Sequence, residues 1–592
     1  MVSVESDRTT SRVMAGGRRG TALFVPDLAV LIAGVTLFYC LFPFQGYQKL
    51  FRDSDAGWHI RNGEAILATR ALPSRDIYSF SRAGQPWFAW EWLADIAAGA
   101  ADRAAGLSGV AFWYAVAIAG GIWLWFHLHW MTGGNFLIAG LMSPLAVTTT
   151  SLHWLARPHV LGWLCLVVWV LWMERLGYSS DARGRAEGTA LGLRRCAGIA
   201  LFCALWANLH ASFFLAPAIA SIYAFSAALR PIVWNPAVPP ENAERTRWYF
   251  IAALIAAVAP LANPYGWRLY GHVFGYLTNR ALLDHVGEFQ SFNFHSAGAG
   301  QIAAALLIGI AGGVLALAHR RLEHFAIAML FAAMAFGAAR ALPLFALIVL
   351  PLANGAITES LVRAGNLAPR LRRALDGFLA YSARLAAIDR RCGGWAIVPF
   401  VLFACFGLLR TPAILAATGF SPSEFPVAAY PHLRPGGRLY APDKFGGYLI
   451  WRSAGARKVF FDGRSDFYGA DFLAAYARMA QTRPGWRRDW DSWGFTDALV
   501  PADSPLIAAL EQCGWRLVYA DSTAAILVGQ ASGPVTGGGF KPASPRSARY
   551  RAATARERFS TNSEPRPVSE RFSTGQEACP TVRSEWIVRK KS

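Results

Sequence analysis

This sequence has little charge. Only 16% of its residues are charged against 54% hydrophobic, and the mean hydropathy is +0.30. At 592 residues that balance gives far more apolar material than one soluble core requires, which excludes an ordinary globular domain. There is no C-x-x-C pair, and no histidine spacing suits zinc, so a structural zinc site is not expected. Cys40, Cys165, Cys196, Cys203 and Cys405 lie in or beside apolar runs and read as packing residues. A cleavable signal is not expected either. The run from Leu28 to Phe44 is longer than a signal-peptide core and lacks a small-residue cleavage site, so with Arg8, Arg12, Arg18 and Arg19 before it the segment reads as an anchor. Acidic residues are outnumbered, 37 to 57, for a net charge of +20. Most arginines fall in short segments between apolar runs, where they set topology, so nucleic acid is not an expected partner.

Apolar runs long enough to cross a hydrocarbon core recur from Leu23 to Thr418, about eleven in all. They fall near 24–46, 107–130, 135–153, 158–176, 196–210, 211–229, 248–262, 300–318, 324–339, 341–357 and 395–417. With the basic N-terminus placed in the cytoplasm, the arginine-rich loops 175–195, 230–247, 319–324 and 363–391 all fall on that side, as positive-inside topology demands. The expected organisation is a basic cytoplasmic segment (1–22), a multi-pass α-helical bundle (23–418) with a long external loop (47–106), an extracytoplasmic α/β domain (431–530) and a disordered basic tail (531–592). The α/β reading rests on short runs such as Arg438 to Tyr440, Tyr448 to Trp451 and Lys458 to Phe461, with helical stretches at Ala470 to Met479 and Pro505 to Cys513.

On this topology the unusual polar groups converge on the external side, as in a site built from the loops of a bundle. The densest stretch is Asp53-Ser54-Asp55-Ala56-Gly57-Trp58-His59-Ile60-Arg61, followed by Asp76, Trp87 and Glu91-Trp92. Either aspartate has the chemistry to bind a divalent cation such as Mg2+ or Mn2+, or to take a proton from an acceptor hydroxyl. The plainer alternative is that Ser54 or Asp55 caps a helix running to Thr69. Trp58, His59 and Asn62 recur at helical spacing; Trp58 reads as an interfacial anchor and His59 as a solvated side chain or a hydrogen-bond donor to a phosphate.

Arg157, two residues before His159, and Arg340 each stand at the external end of an apolar helix, where a guanidinium needs a counter-charge, and a lipid-linked phosphate would supply one. Snorkelling toward headgroups is the alternative for both. His210, with Trp206 and Asn208, interrupts an apolar stretch, either to hydrogen-bond between helices or to face a cavity. Asp284 and Glu288 add acid to the long loop 263–294, and either is a candidate second carboxylate.

The order of a basic N-terminus, one helix, an external acidic loop, many helices and an external α/β domain resembles the GT-C superfamily of membrane glycosyltransferases. Asp55-Ala56-Gly57-Trp58-His59-Ile60-Arg61, with Asp76 and Trp87, is similar to the first loop of the oligosaccharyltransferase catalytic subunit. Asp443-Lys444-Phe445-Gly446-Gly447-Tyr448-Leu449-Ile450, followed by Phe461-Asp462-Gly463-Arg464, is similar to its W-W-D-Y-G segment and the strand after it. The paired tryptophans that help read an acceptor sequon are replaced here by Ala441-Pro442, which argues against protein N-glycosylation. The resemblance implies a bacterial inner-membrane enzyme of the cell envelope that moves a sugar from a polyprenyl-phosphate-type donor to an extracytoplasmic glycan, lipid or protein acceptor. It implies Asp53 and Asp55 as catalytic or metal-binding residues. Arg157, His159, His210, Arg340, His59, Glu91, Asp443 and Tyr448 are the expected substrate contacts. A transporter or flippase for a lipid-linked substrate, or a non-catalytic envelope-assembly protein, are the alternatives.

Overall fold

The computed structural model describes residues 23–178, 189–234, 240–365 and 367–529. The expectations for the basic segment 1–22 and the tail 531–592 fall outside them. Each of the eleven expected apolar runs lies on a helix: α1 (Leu28–Leu41), α3 (Trp92–Met131), α4 (Phe136–Ser151), α5 (His159–Tyr178), α6 (Thr189–Leu209), α7 (Leu215–Trp234), α8 (Pro240–Val258), α10 (Ala299–Ala318), α11 (Leu322–Gly337), α12 (Leu342–Arg363) and α14 (Ile397–Leu409). Between them lie α2 (Asp55–Thr69), α9 (Arg268–Thr278) and α13 (Pro369–Asp389).

The count of full spans is smaller than expected. Among the described residues five helices are long and apolar enough to cross a membrane, or six if α1 and the segment Pro43–Lys49, bent by 72°, form one span. The helices α4, α11 and α14 are apolar but shorter. α8 is long enough, yet its first two turns carry Glu241, Glu244, Arg245 and Arg247. Small residues let the helices close on one another. A Cβ at Gly309 would lie 2.3 Å from the Phe345 ring, and one at Gly312 would lie 2.2 Å from Ala353 Cβ, so α10 and α12 meet over glycine.

Beyond α14 the chain builds a four-stranded sheet from β1 (Leu439–Tyr440), β2 (Asp497–Pro501), β3 (Arg516–Ala520) and β4 (Ala524–Val528), in the order β1-β2-β4-β3. β1 runs parallel to β2, and the other pairings are antiparallel. Among the helices that accompany it are α15 (Asp443–Arg452), α16 (Ala470–Ala480), α17 (Trp486–Trp493) and α18 (Leu506–Gln512). The α/β composition is as expected, but Tyr448 to Trp451 is helical and Lys458 to Phe461 forms only a single bridge, Val459 to Ser79. The helix wins at Tyr448 because Gly446 and Gly447 each meet a neighbouring backbone on a different side. A Cβ on Gly446 would lie 1.9 Å from the Phe461 carbonyl oxygen, and one on Gly447 would lie 2.2 Å from that of Ser54. The Gly446-Gly447 pair is therefore a helix contact.

That contact positions the site. Gly57 on α2 faces Gly447 on α15, with 2.2 Å from a built Cβ to the Gly447 oxygen, so the two helices touch backbone to backbone. Ser54 Oγ donates to the Asp443 carbonyl (3.2 Å), Arg61 donates twice to the Trp451 carbonyl, and Tyr78 and Phe80 pair with Val459. From the loop 263–294, His272 reaches Asp466 (3.0 Å) and the Tyr276 hydroxyl reaches Ser465 (3.0 Å). Three segments far apart in sequence thus meet at one end of the bundle.

Candidate active site

Where those segments meet, a cavity of about 890 Å³ opens between the end of the helical bundle and the α/β domain. Its centre is Arg157, in the tight turn that starts α5. Arg157 Nη1 lies 2.5 Å from Asp53 Oδ2 and Nη2 lies 2.7 Å from Asp55 Oδ2, with Glu288 Oε2 at 3.9 Å. One guanidinium therefore serves three carboxylates, and Glu288 is shared with Arg340 (3.2 Å), which stacks over the Phe289 ring at 4.5 Å. Both arginines have the counter-charges their position requires, and neither reads as a snorkelling side chain.

Neither Ser54 nor Asp55 caps the helix; Asp53 takes that place. Asp53 Oδ1 accepts the Asp55 backbone N–H (3.0 Å), while Ser54 makes no capping bond. This leaves Asp55, 5% exposed, with its carboxylate turned inward. Gly463 explains how close the approach is: a Cβ there would lie 1.7 Å from Asp55 Oδ1, so only glycine admits the carboxylate. Burial raises the Asp55 carboxyl well above the usual carboxylate range; Arg157 opposes this, while Asp53, Glu288 and Asp462 add to it. Burial alone would raise Glu288 as well, yet Arg340 and Arg157 pull it down to about 2. For Arg157 the sign is the reverse: burial disfavours its charge, and Asp53, Asp55 and Glu288 more than restore it.

A second acid sits deeper. Glu91 lies between two imidazoles, 3.8 Å from His59 Nε2 and 3.5 Å from His210 Nε2. Burial, reinforced by Asp95, pushes it up to about 8 against the pull of Arg157 and Arg340. His59 is in turn hydrogen-bonded through Nδ1 to Asp95 (2.6 Å), which also accepts from Asn62 (2.6 Å). Burial first, and Arg157 next, hold His59 well below its ordinary range, so the ring is neutral. On the domain side, Asp462 and Asp76 both bind the buried Arg464 at 2.7 Å, leaving Arg464 Nη1 without a partner. Trp58 Nε1 is likewise buried and unpartnered. Both residues line the cavity.

Of the residues expected from the sequence, Asp53, Asp55, Glu91, Arg157, His159, His210, Arg340 and Asp443 line this one cavity. Two do not. His59 is 1% exposed and reaches the cavity only through Glu91, and Tyr448 is packed among Phe420, Phe425 and Trp451. Trp58 is a cavity wall rather than an interfacial anchor, since it and Asn62 are buried. Asp95 was not foreseeable from a helical apolar run, and Ser465 and Asp466 carried no pattern. Glu288 was one of two acids that spacing could not separate. Among the described residues no three His, Cys, Asp or Glu side chains cluster as a metal site. One oxygen each of Asp53 and Asp55 is taken by Arg157, so this donor set does not fit a divalent cation as it stands.

No family model and no curated protein sequence matches the chain. Two solved structures of the Archaeoglobus fulgidus oligosaccharyltransferase are similar to it over 80% of this chain and 69% of theirs: the form tethered by a disulfide to an acceptor peptide with the NVT sequon (TM-score 0.47, 12% identity) and the apo form (TM-score 0.46, 13% identity).

Proposed function

We propose that this chain is a multi-pass membrane glycosyltransferase of GT-C type, with the cavity at its extracytoplasmic end, that transfers a sugar from a polyprenyl-phosphate-type donor to an acceptor hydroxyl. The observation that carries the reading is the sharing of Arg157 among Asp53, Asp55 and Glu288 in a large cavity, with Arg340 alongside. It is supported by the loop and α15 motifs that resemble the superfamily.

In the reaction, the acceptor atom forms a bond to the anomeric carbon as the bond from that carbon to the carrier phosphate oxygen breaks. The leaving phosphate keeps the bonding electron pair and is held by Arg157 and Arg340. Each donor that Arg157 turns to the phosphate is withdrawn from Asp53 or Asp55. The raised affinity of buried Asp55 for a proton then suits it to accept the one leaving the acceptor, which makes the base available only once the donor is bound. His159, His210, Glu91 and Asp443 line the remainder of the substrate volume, and the domain 431–530 selects the acceptor.

The test is release of free carrier phosphate from labelled polyprenyl-phosphate sugars by the protein in lipid. Wild type releases it, and Arg340→Gln, which removes one of the two phosphate ligands, releases it about 100-fold more slowly. Passage of an intact donor across the bilayer without cleavage would instead establish a transporter.

A further inference from the structure

A second, smaller cavity lies away from the site just described, at the elbow of α3. The helix breaks there at Ala105 (φ −149°, ψ 16°) and Gly106 (φ 64°, ψ −159°), and the positive φ at Gly106 is one that a side chain would resist. Arg103, Gly106, Leu107 and Ser108 line the cavity from α3, and Arg410, Leu415 and Thr418 line it from the chain that leaves α14. No carboxylate is among the lining residues.

Each arginine is anchored at one nitrogen only: Arg410 Nη1 donates to the Ala105 carbonyl (3.0 Å) and Arg103 Nη2 to the Glu64 carbonyl (2.6 Å). A neutral carbonyl fixes a guanidinium without neutralising it. The third polar group is Ser108, whose hydroxyl is buried, 1% exposed, and has no hydrogen-bond partner. A buried hydroxyl left unpaired costs free energy comparable to a lost hydrogen bond, and a ligand oxygen would recover it.

The setting identifies the ligand. α14 turns Phe400 and Phe403 outward, 71% and 79% exposed, and ends at Arg410. Leu408 and Leu415, beside the cavity, are also exposed. Two cations above an outward apolar face match a headgroup phosphate above its acyl chains, whereas free phosphate would have no use for that face.

We propose that Arg103, Arg410 and Ser108 form a binding site for the phosphate of an anionic phospholipid at the rim of the bundle, separate from the glycosyl-transfer cavity. The site clamps the broken part of α3 to the end of α14.

The full chain is exchanged into nanodiscs of phosphatidylcholine with a minor fraction of phosphatidylglycerol, released, and weighed intact by mass spectrometry to count retained lipid. Wild type retains phosphatidylglycerol over phosphatidylcholine. Arg103→Gln and Arg410→Gln each lower that retention about tenfold, and Ser108→Ala lowers it about threefold. The two arginines are exposed, so their exchange leaves the fold intact. Equal retention by wild type and all three variants would overturn the site. Displacement of the lipid by inorganic phosphate at equal concentration would overturn the lipid assignment.

Discussion

The two ends of the helical bundle are built from the same kinds of side chain and use them differently. α5 connects them, with His159 at its start facing the large cavity and Glu174 about 22 Å farther along its axis at 1.5 Å per residue. At the far end the polar groups close on one another. Glu174 accepts from the Tyr223 hydroxyl (2.5 Å) and pairs with His324 (2.8 Å), and Glu323 takes Arg230 through both oxygens (2.8 and 2.6 Å). At the cavity end Arg157 is divided among three carboxylates, and Arg464 and Trp58 keep unused donors at the cavity wall, while at the far end Arg230 Nε is also unpartnered. At the far end Glu359 is likewise shared, by His319, Arg321 and Arg363, so the difference lies in the setting: charge packed between helices holds them together, and charge shared across a cavity is available to a ligand. The polar composition of an end therefore says less about function than the setting of its charges.

The sharpest way to break the cavity end is Arg157→Ala. It leaves the buried Asp55 and the half-buried Asp53 without a counter-charge, and is expected to cost about 3 to 5 kcal/mol of stability, read as a lower thermal midpoint in lipid. Gly463→Ala attacks the same carboxylate by bulk. With 1.7 Å available, Asp55 must move off Arg157, so turnover falls to background while the domain sheet, several residues away, persists. Glu323→Gln at the far end sharpens the contrast: it weakens the Arg230 pair and costs about 1 to 3 kcal/mol, yet leaves turnover per folded molecule unchanged.

The pH dependence should also differ. Glu91 is raised to about 8 from an ordinary 4.5, so between those values the folded state holds a proton that the unfolded chain has lost. Stability contributed by Glu91 is then complete below about pH 4.5 and is lost as pH rises toward 8, by up to about 1.4 kcal/mol per unit. Denaturant midpoints against pH measure this, and Glu91→Gln removes that slope. Smallest of all is Arg487→Ala, which breaks an exposed i,i+4 pair with Asp491 and changes stability by no more than about 0.5 kcal/mol.

Much of this arrangement was legible in the sequence because it rests on hydropathy and on charges in unfavourable places. All eleven apolar runs are helical, and Arg157, Arg340, Asp53 and Asp55, set apart by their expected exposure beside a membrane, reach one cavity. Apolarity alone did not separate candidate spans from shorter helices, because α4, α11 and α14 are apolar yet shorter than the helices long enough to cross. The residues that were not legible are those fixed by packing. Asp95 reads as a helix-start acid and becomes the partner of His59 only when α2 lies against α3. Tyr448 sits in a run that alternates like a strand, and the glycine contacts that make it helical belong to Ser54 and Phe461, hundreds of residues and a dozen residues away.

The central claim is that chemistry occurs where Asp53 and Asp55 share Arg157. It is tested most directly by measuring carrier-phosphate release in lipid for wild type, Asp53→Asn, Asp55→Asn and the far-end variant Glu174→Gln, with folding checked by thermal unfolding. The account predicts that Asp55→Asn loses at least about 100-fold in turnover while remaining folded, and that Glu174→Gln turns over at the wild-type rate. Wild-type turnover in both Asp53→Asn and Asp55→Asn would contradict it.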